Sequence, residues 1–389
     1  MPPRLVFVTD LPTPYRAPLF DLVTARGVVE PVALYLAKSE TGRGSWRVDC
    51  SGHRHEHVGG GAVTFRAKKG PFAWKVGVGV GRRLDALSPD AVCVGGWAHP
   101  AMHLAAAWAT KHGVPYLVTS ESHPRRHGRL RAAAKAAVAG RIVKGASAWL
   151  PVSSRAQALL EELGADPARC FPVPNAPDAE RFARARADEA ARAATRRELG
   201  TGPAEPVTCF VGRLVAAKAV DVLLDAARRL PETPTLWLVG AGPLRRRLEA
   251  RAKKEGLLPR MKFLGERGYD DVVRLLAAAD VVVLPSAHEP YGVALHEGMA
   301  AGCAALVSDA VGAAELVEEG VSGHVVPAGD ADALAAAWSD LVKEPARLLE
   351  RGRRAQALAR ERGLPFAAAS IEAGTAAALK RAKSRTASP

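Results

Sequence analysis

The sequence predicts an α/β protein of two domains, each a parallel β-sheet covered by helices. Three observations predict it. The chain has 389 residues, and at roughly 150 residues per domain that length makes two domains. Short apolar, β-branched runs alternate with helical stretches, the pattern of parallel strands joined by helical crossovers. The alternation also stops once, at the Ala- and Arg-rich stretch 183–200 and the TGPAEP that follows, and then begins again.

In the first series, LVFVTD (5–10) reads as a strand, APLFDLVTA (17–25) as a helix and VEPVALYLA (29–37) as a strand. AVCVGGW (91–97) is a buried strand ending in glycines, and AMHLAAAWATKHG (101–113) is a helix closed by glycine. VPYLVTSES (114–122) and SAWLPVS (147–153) are strands on either side of a basic helical stretch. The expected first domain is 1–178, with a linker region at 179–206. The second series holds strands at VTCFVGRL (207–214), TLWLVGAG (235–242), MKFLGE (261–266), DVVVLPS (280–286), AALVSD (304–309) and GHVVPAG (323–329). It makes a second domain over 207–364, with a C-terminal helix and basic tail over 365–389. Gly212, Gly240 and Gly265 fall at strand ends. Ligands of open parallel sheets bind at carboxyl strand ends, so the second domain is the expected nucleotide-binding one.

Composition excludes several classes. Hydrophobic content of 48% and charged content of 24% exclude global disorder. No apolar run reaches the ~18–20 residues that span a bilayer. The apolar run in MPPRLVFVTDLP is too short for a signal peptide, so the expected compartment is the cytosol. Cys50, Cys93, Cys170, Cys209 and Cys303 are scattered, odd in number and never in a CxxC pair. They predict small buried thiols rather than disulfides or a zinc site.

The net charge of +14 leaves nucleic acid, an anionic membrane surface or a phosphate-bearing substrate as partners. Residues 1–180 carry 23 Lys+Arg against 14 Asp+Glu, and residues 181–389 carry 31 against 26. The densest stretch, 122–160, has no acid but holds Arg125, Arg126, Arg129, Arg131, Lys135, Arg141, Lys144 and Arg155. It is either a solvated helix face or a surface for an anionic leaflet. Aromatics make up 5% of the chain, and no helix-turn-helix or RNP-like motif is visible, which argues against nucleic acid.

Three segments carry chemistry. PSAHEPYGVALHEGM (285–299) places Glu289 on the loop after a buried strand and Glu297 about one and a half turns into the following helix. A helix N-terminus there favours a phosphate, and acids beside it suit sugar or ribose hydroxyls. The bland alternative is a pair of solvated acids. FVGRLVAAKAVDVLLDA (210–226) sets Gly212, Arg213 and Lys218 at a strand end, a set able to hold a diphosphate or to be two solvated cations. It lacks P-loop spacing. LVGAGPLRRRLE (238–249) begins a GxGxxG with Gly240 and Gly242 but has Arg245 at the third glycine position. Its dinucleotide fingerprint is therefore weak, while glycines that admit a ligand to the backbone remain a use for it. His53, His55 and His57 alternate, and His99 and His103 have i, i+4 spacing. Neither group has a further ligand set, so no metal site is expected.

These segments, in this order, resemble the retaining nucleotide-sugar-dependent glycosyltransferases of family 4 (glycosyl transferase group 1), with the two-domain GT-B fold. The resemblance runs through VGRL, LVGAGPL, FLGER and LPSAHEPYGVALHEGMAAGCAALVSDAVGAAELVEEGVSGHVV, covering most of 207–345. It continues more weakly through PTPYR (12–16) and 150–182. It implies two Rossmann-like α/β domains facing across a cleft, with a C-terminal helix packing back on the N-terminal domain. Arg213 and Lys218 would then bind the donor diphosphate, Glu297 the ribose, and Glu289 the transferred sugar. Amides near Tyr291, Gly292 and Val293 would meet the distal phosphate. Gly265, Glu266 and Arg267 would lie near the base, with Gly212, Gly240 and Gly242 completing the donor site. His123 would reach the donor sugar, the alternative being a packed or solvent-facing histidine. Tyr15 and Arg16 would lie on the acceptor side.

The implied reaction is metal-independent transfer, without a cofactor, from a nucleoside-diphosphate sugar to a glycan or lipid-linked acceptor of cell-envelope or exopolysaccharide assembly. The implied location is cytoplasmic or peripheral at the inner face of the membrane. The family often has glycine where this chain has Ala219, an apolar residue and Asp after PNG where this chain reads Pro174-Asn175-Ala176-Pro177-Asp178, and paired glycines where it has Leu11 to Arg16. The alternatives are a nucleotide-sugar epimerase or phosphorylase on the same frame and, from a different class, a nucleic-acid-binding protein.

Overall fold

In the sequence RLVFVT, strand β1 (Arg4–Thr9) sends Val6 and Val8 into one apolar cluster and Leu5 and Phe7 into another. Successive side chains of a strand point to opposite faces, so a strand covered on both sides reads as a continuous apolar run. The computed structural model describes residues 1–37, 48–58, 64–66, 73–75, 77–122, 138–230 and 234–386. These form two compact units, Met1–Asn175 with Leu364–Pro389, and Ala176–Gly363.

The first unit continues with α1 (Ala17–Arg26), β2 (Glu30–Tyr35), β3 (Arg54–His57), a small antiparallel pair β4 (Thr64–Arg66) and β5 (Ala73–Lys75), α2 (Val80–Leu87), β6 (Ala91–Gly95), α3 (Pro100–Lys111), β7 (Tyr116–Ser120), α4 (138–145), β8 (Ala148–Pro151) and α5 (Ser154–Glu162). Its main sheet is parallel with order β3-β2-β1-β6-β7-β8. Leu84, Met102, Val143 and Leu160, one from each of α2 to α5, cover one face. Phe20 of α1 covers the other, beside Ile371 and Ala378 of the C-terminal helix.

The second unit comprises α6 (Ala179–Ala187), α7 (Glu189–Glu198), β9 (Val207–Val211), α8 (Val220–Arg229), β10 (Thr235–Val239), α9 (Arg245–Lys254), β11 (Met261–Gly265), α10 (Tyr269–Ala278), β12 (Val281–Leu284), α11 (Val293–Ala300), β13 (Ala304–Ser308), β14 (Gly323–Val326), α12 (Ala331–Lys343) and α13 (Pro345–Glu361). Its parallel sheet has order β11-β10-β9-β12-β13-β14. Setting aside the β4-β5 pair, both sheets have the doubly wound order 3-2-1-4-5-6. The helix α14 (Leu364–Thr386) returns to the first unit, where Arg26 binds Glu372 through two nitrogens at 2.7 and 2.9 Å.

Residues 179–206 differ from the linker the sequence suggests. Asp178 and Asp188 accept from the amides of Arg181 and Ala191, starting α6 and α7. Arg186 and Arg192 then donate to the Ala277 carbonyl at 2.9 and 3.0 Å, and Arg196 to that of Ala278 at 3.0 Å. These are terminal carbonyls of α10 that lack intrahelical partners, and cations suit that negative helix end. The Ala/Arg-rich segment is thus the cap of α10 and part of the second unit.

Ala219 precedes α8 with φ 48° and ψ 40°, left-handed backbone that favours glycine. An L-residue there costs about 1–2 kcal/mol, of which chain entropy returns part when glycine replaces it. Ala219→Gly is therefore expected to stabilise the chain by about 1 kcal/mol, a rise in Tm of ~2–4 °C. A thermal melt with no rise, or a fall, contradicts the strain.

Candidate functional site

The order of the second sheet reverses between β9 and β12, so the loops leaving their carboxyl ends diverge and open a crevice. After β9 come Gly212, Arg213 and a short turn, Ala216–Lys218. The amides of Ala287 and His288, in the loop after β12, donate to the Ala217 carbonyl at 3.0 and 3.3 Å and tie the two loops together. Lys218 folds over Gly212, its Cε 3.4 Å from where a Cβ on Gly212 would lie. Its Nζ forms an ion pair with Glu289, both side chains being largely buried. Arg213 is exposed and has no ion-pair partner among the described residues.

The loop carrying Glu289 is clamped by its own backbone. The Glu289 carbonyl accepts from Gly312 N at 3.2 Å and the Tyr291 carbonyl from Ala313 N at 2.7 Å. A Cβ on Gly312 would stand 2.2 Å from the Pro290 oxygen, so the approach requires glycine. Gly292, with φ 94°, starts α11 without a side-chain cap. The amides of Tyr291, Gly292 and Val293 have no acceptor among the described residues. An uncapped helix start of this kind offers N–H groups and a positive dipole end to an anion.

The Tyr291 amide faces no acceptor among the described residues, and its side chain is structural. Its hydroxyl is buried and donates to His296 Nδ1 at 2.8 Å, while His296 Nε2 donates to the Ala359 carbonyl at 2.9 Å. Burial lowers the His296 pKa to about 4 and keeps the ring neutral. This relay fixes α11 to α13.

Glu297 is buried one turn into α11, and burial pushes its pKa up to about 7, against a hydrogen bond from Tyr269 that lowers it. Tyr269, at the start of α10, is held by Arg181 at 5.1 Å from its ring centroid and by Phe182 edge-on at 6.2 Å. Sequence reading missed Tyr269. The available signal was its place just after the strand-end run Gly265-Glu266-Arg267.

Gly240 and Gly242 are required by the packing of two loops. A Cβ on either would strike the backbone of Gly212 or Leu214, at 2.0 and 2.4 Å. They let the β10 loop close on the β9 loop, where Leu214 N donates to Ala241 O at 2.8 Å, while Gly240 N donates to Gly265 O at the end of β11 at 2.7 Å. Glu266 and Arg267 are exposed beyond β11. Arg245, in place of a third glycine, donates to the Phe263 carbonyl at 3.2 Å.

In the first unit, Arg16 is half-buried and donates to Glu121 at 2.9 Å, and Asn175 donates to the same oxygen at 3.0 Å. Burial works against the Arg16 charge, but Glu121 outweighs it and raises the pKa. Glu121, just after β7, therefore joins the start of α1 to Asn175, while Tyr15 is half-buried beside Arg16. His123 and residues 123–137 of the basic stretch lie outside the described residues. In the described part, Arg141 and Lys144 are on the solvent face of α4. His53 sits between Asp21 at 2.6 Å and Tyr35 at 3.3 Å, and His103 bonds the Trp97 carbonyl at 2.9 Å. The five cysteines are free thiols, and burial raises that of Cys93 to about 12. Among the described residues no helix is long and apolar enough to cross a membrane.

The family model described as Glycosyl transferases group 1 matches residues 191–361, and that described as Glycosyl transferase 4-like domain matches residues 6–176. A D-inositol 3-phosphate glycosyltransferase of Nocardia farcinica is 34% identical over 53% of this chain and 47% of its own length. The lipopolysaccharide core biosynthesis glycosyltransferase LpsE of Rhizobium meliloti is 36% identical over 41% of this chain and 47% of its own. The chain thus spans under half the length of these curated relatives. Among solved structures, Anabaena HepE in complex with UDP superposes with a TM-score of 0.75 at 21% identity, over 95% of this chain and 98% of that one. WaaG, a glycosyltransferase involved in lipopolysaccharide biosynthesis, does so with 0.69 at 18% identity, over 95% and 98%. These likenesses show the two-domain α/β fold.

The Glu297 carboxyl has a sign-definite pH signature. Its folded pKa of about 7 exceeds the ordinary glutamate value of 4.5, so its contribution to stability is complete below ~4.5 and fades as pH rises through ~7. At about 1.4 kcal/mol per pKa unit, the loss approaches ~3 kcal/mol. Glu297→Gln is expected to flatten the fall in stability between pH 5 and 8 (about the span of the shift), measured by denaturant unfolding. A variant whose stability falls with pH as steeply as wild type contradicts the buried neutral carboxyl.

Proposed function

Because this chain belongs to the group 1, family 4-type glycosyltransferases of the GT-B fold, we propose that it transfers a sugar from a nucleoside diphosphate to an acceptor hydroxyl with retention of anomeric configuration. The observation that carries the reading is Lys218, held over Gly212 by Glu289 at the reversal of the second sheet, beside uncapped amides of α11. A diphosphate entering there exchanges the Glu289 carboxylate for its own oxygens on Lys218. Arg213 adds a planar fork, and the amides of Gly292 and Val293 meet the distal phosphate. Freed from Lys218, Glu289 accepts hydrogen bonds from hydroxyls of the sugar. Glu297, when ionised, accepts from the ribose hydroxyls, with Tyr269 fixing its orientation.

In the transfer the bond from the anomeric carbon to the phosphate oxygen breaks and one to the acceptor oxygen forms on the same face. The acceptor proton passes to the departing phosphate. Charge grows on the diphosphate as it leaves, and Lys218, Arg213 and the α11 amides stabilise it without reorganising, so the step needs no divalent cation. UDP and UDP-glucose occupy the crystallised HepE, which supports a uridine diphosphate sugar as donor. The first unit would bind the acceptor, a glycan or lipid-linked saccharide, with Arg141 and Lys144 facing an anionic surface.

The test is nucleoside diphosphate release from UDP-, GDP- and ADP-sugars, with chelator present and product configuration read by NMR. Arg213→Ala and Glu289→Gln are expected to lower kcat/KM by about 10²-fold or more, and the product to keep the donor's configuration. Turnover indifferent to both substitutions, or an inverted product, overturns the reading.

A further inference from the structure

A second cavity lies at the opposite end of the same two central strands. Pro206 immediately precedes β9 and Asp280 immediately precedes β12, and both line it. Five strand residues at ~3.3 Å each set it about 15 Å from the loops that carry Arg213 and Glu289. Its volume is about 540 Å³, within the ~300–1,000 Å³ range of small-molecule sites.

Its walls differ in chemistry. One is a face of α7, with Arg192, Ala193 and Arg197 at helical spacing. Opposite stand Pro203 of the 201–206 turn and Leu348 and Leu349 of the first turn of α13, Leu349 being 47% exposed. Capping of α10 accounts for only some of the arginines. Arg196 is saturated by the carbonyls of Ala278, Gly202, Pro203 and Glu205 and by Asp280 at 2.5 Å. Arg186 gives one amino group to two carbonyls of the same helix end.

Arg192, by contrast, uses only Nε, on the Ala277 carbonyl, and both terminal amino groups have no partner among the described residues. Arg197 has none at all among them. Of the three acids that line the cavity, Glu189 is exposed in the first turn of α7 and the other two are engaged elsewhere. Asp280 serves Arg196 and the Val207 amide, and Glu205 serves Arg260, Thr235 and the Gly202 amide. Burial, then the charges of Arg186 and Arg196, lower the Arg192 pKa against the pull of Asp280. A partly buried guanidinium with four spare N–H donors, beside an apolar wall, matches an anionic head on an apolar body.

We propose that this cavity is a binding site, separate from the strand-end crevice, for a small ligand that carries a phosphate on an apolar body. Arg192 and Arg197 hold the phosphate, and Pro203, Leu348 and Leu349 cover the body. The proposal stands independently of the glycosyl-transfer reading.

Phenyl phosphate is the probe, titrated calorimetrically into the full chain, with inorganic phosphate and benzyl alcohol as the head-only and body-only arms. Wild type and Arg213→Ala are expected to bind phenyl phosphate alike. The double variant Arg192→Gln/Arg197→Gln should bind it about tenfold more weakly or worse, and inorganic phosphate should bind wild type at least about fivefold more weakly than phenyl phosphate. Leu349→Asp, at an exposed position that leaves the fold intact, should also weaken it. Absence of saturable binding, or affinity indifferent to both the double variant and Leu349→Asp, overturns the site. Loss of binding in Arg213→Ala assigns the ligand to the strand-end crevice and overturns it equally.

Discussion

Two loops leave β9 and β12 in diverging directions, and one ion pair spans them. Lys218 comes from the first loop and Glu289 from the second, and the Ala217 carbonyl accepts two amides from the second loop beside them. The doubly wound order creates the divergence, since a strand order that reverses leaves a gap at the carboxyl ends of the two central strands. The pair keeps a largely buried cation compensated until an anion arrives. Removing one partner of a desolvated pair would leave an uncompensated charge, so the geometry is stable empty and ready to exchange one anion for another. Clamping by Gly312 and by the Tyr291–His296–Ala359 relay supports this, because a loose Glu289 loop would let the pair dissolve into solvent.

Much of this was legible in the sequence because parallel sheets write themselves plainly. Strands buried on both faces appear as unbroken apolar runs, and β1, β9, β12 and β13 all read that way. The strand-loop-helix placement of Glu289 and Glu297 was legible for the same reason. Partners far apart in sequence were not. The ion pair of Lys218 with Glu289 and the contact of Tyr269 with Glu297 depend on which strands are neighbours, and strand order is absent from local pattern. Gly240 and Gly242 show the same limit. Their spacing points to a ligand, and only the neighbouring loop shows that their missing side chains also make room for backbone. The Ala/Arg-rich segment 183–200 resembled a linker because its apolar face is thin, and its arginines act on carbonyls of a helix about 85 residues away, as the Arg192–Ala277 bond shows. At Ala219 the left-handed backbone shows why glycine suits the position, which local sequence pattern does not.

The excess of positive charge divides between internal and available groups. Arg196 and Arg351 are buried and Arg16 half-buried, and all three are committed to carboxylates or carbonyls. Arg213, and the outer edges of Arg192 and Arg197, are not. Burial of a guanidinium with its donors satisfied organises the fold, while spare donors beside a cavity or crevice are available for ligands. The charge of +14 is thus a poor guide to partners as a sum and an informative one residue by residue.

The most direct measurement is a double-mutant cycle on UDP affinity with Lys218→Ala, Glu289→Ala and both. If the diphosphate displaces Glu289 from Lys218, Lys218→Ala weakens UDP by about tenfold or more, Glu289→Ala leaves it unchanged or tighter, and the two effects are not additive. UDP affinity that is insensitive to Lys218→Ala, or that falls equally and additively in both variants, would place the diphosphate elsewhere and contradict the exchange.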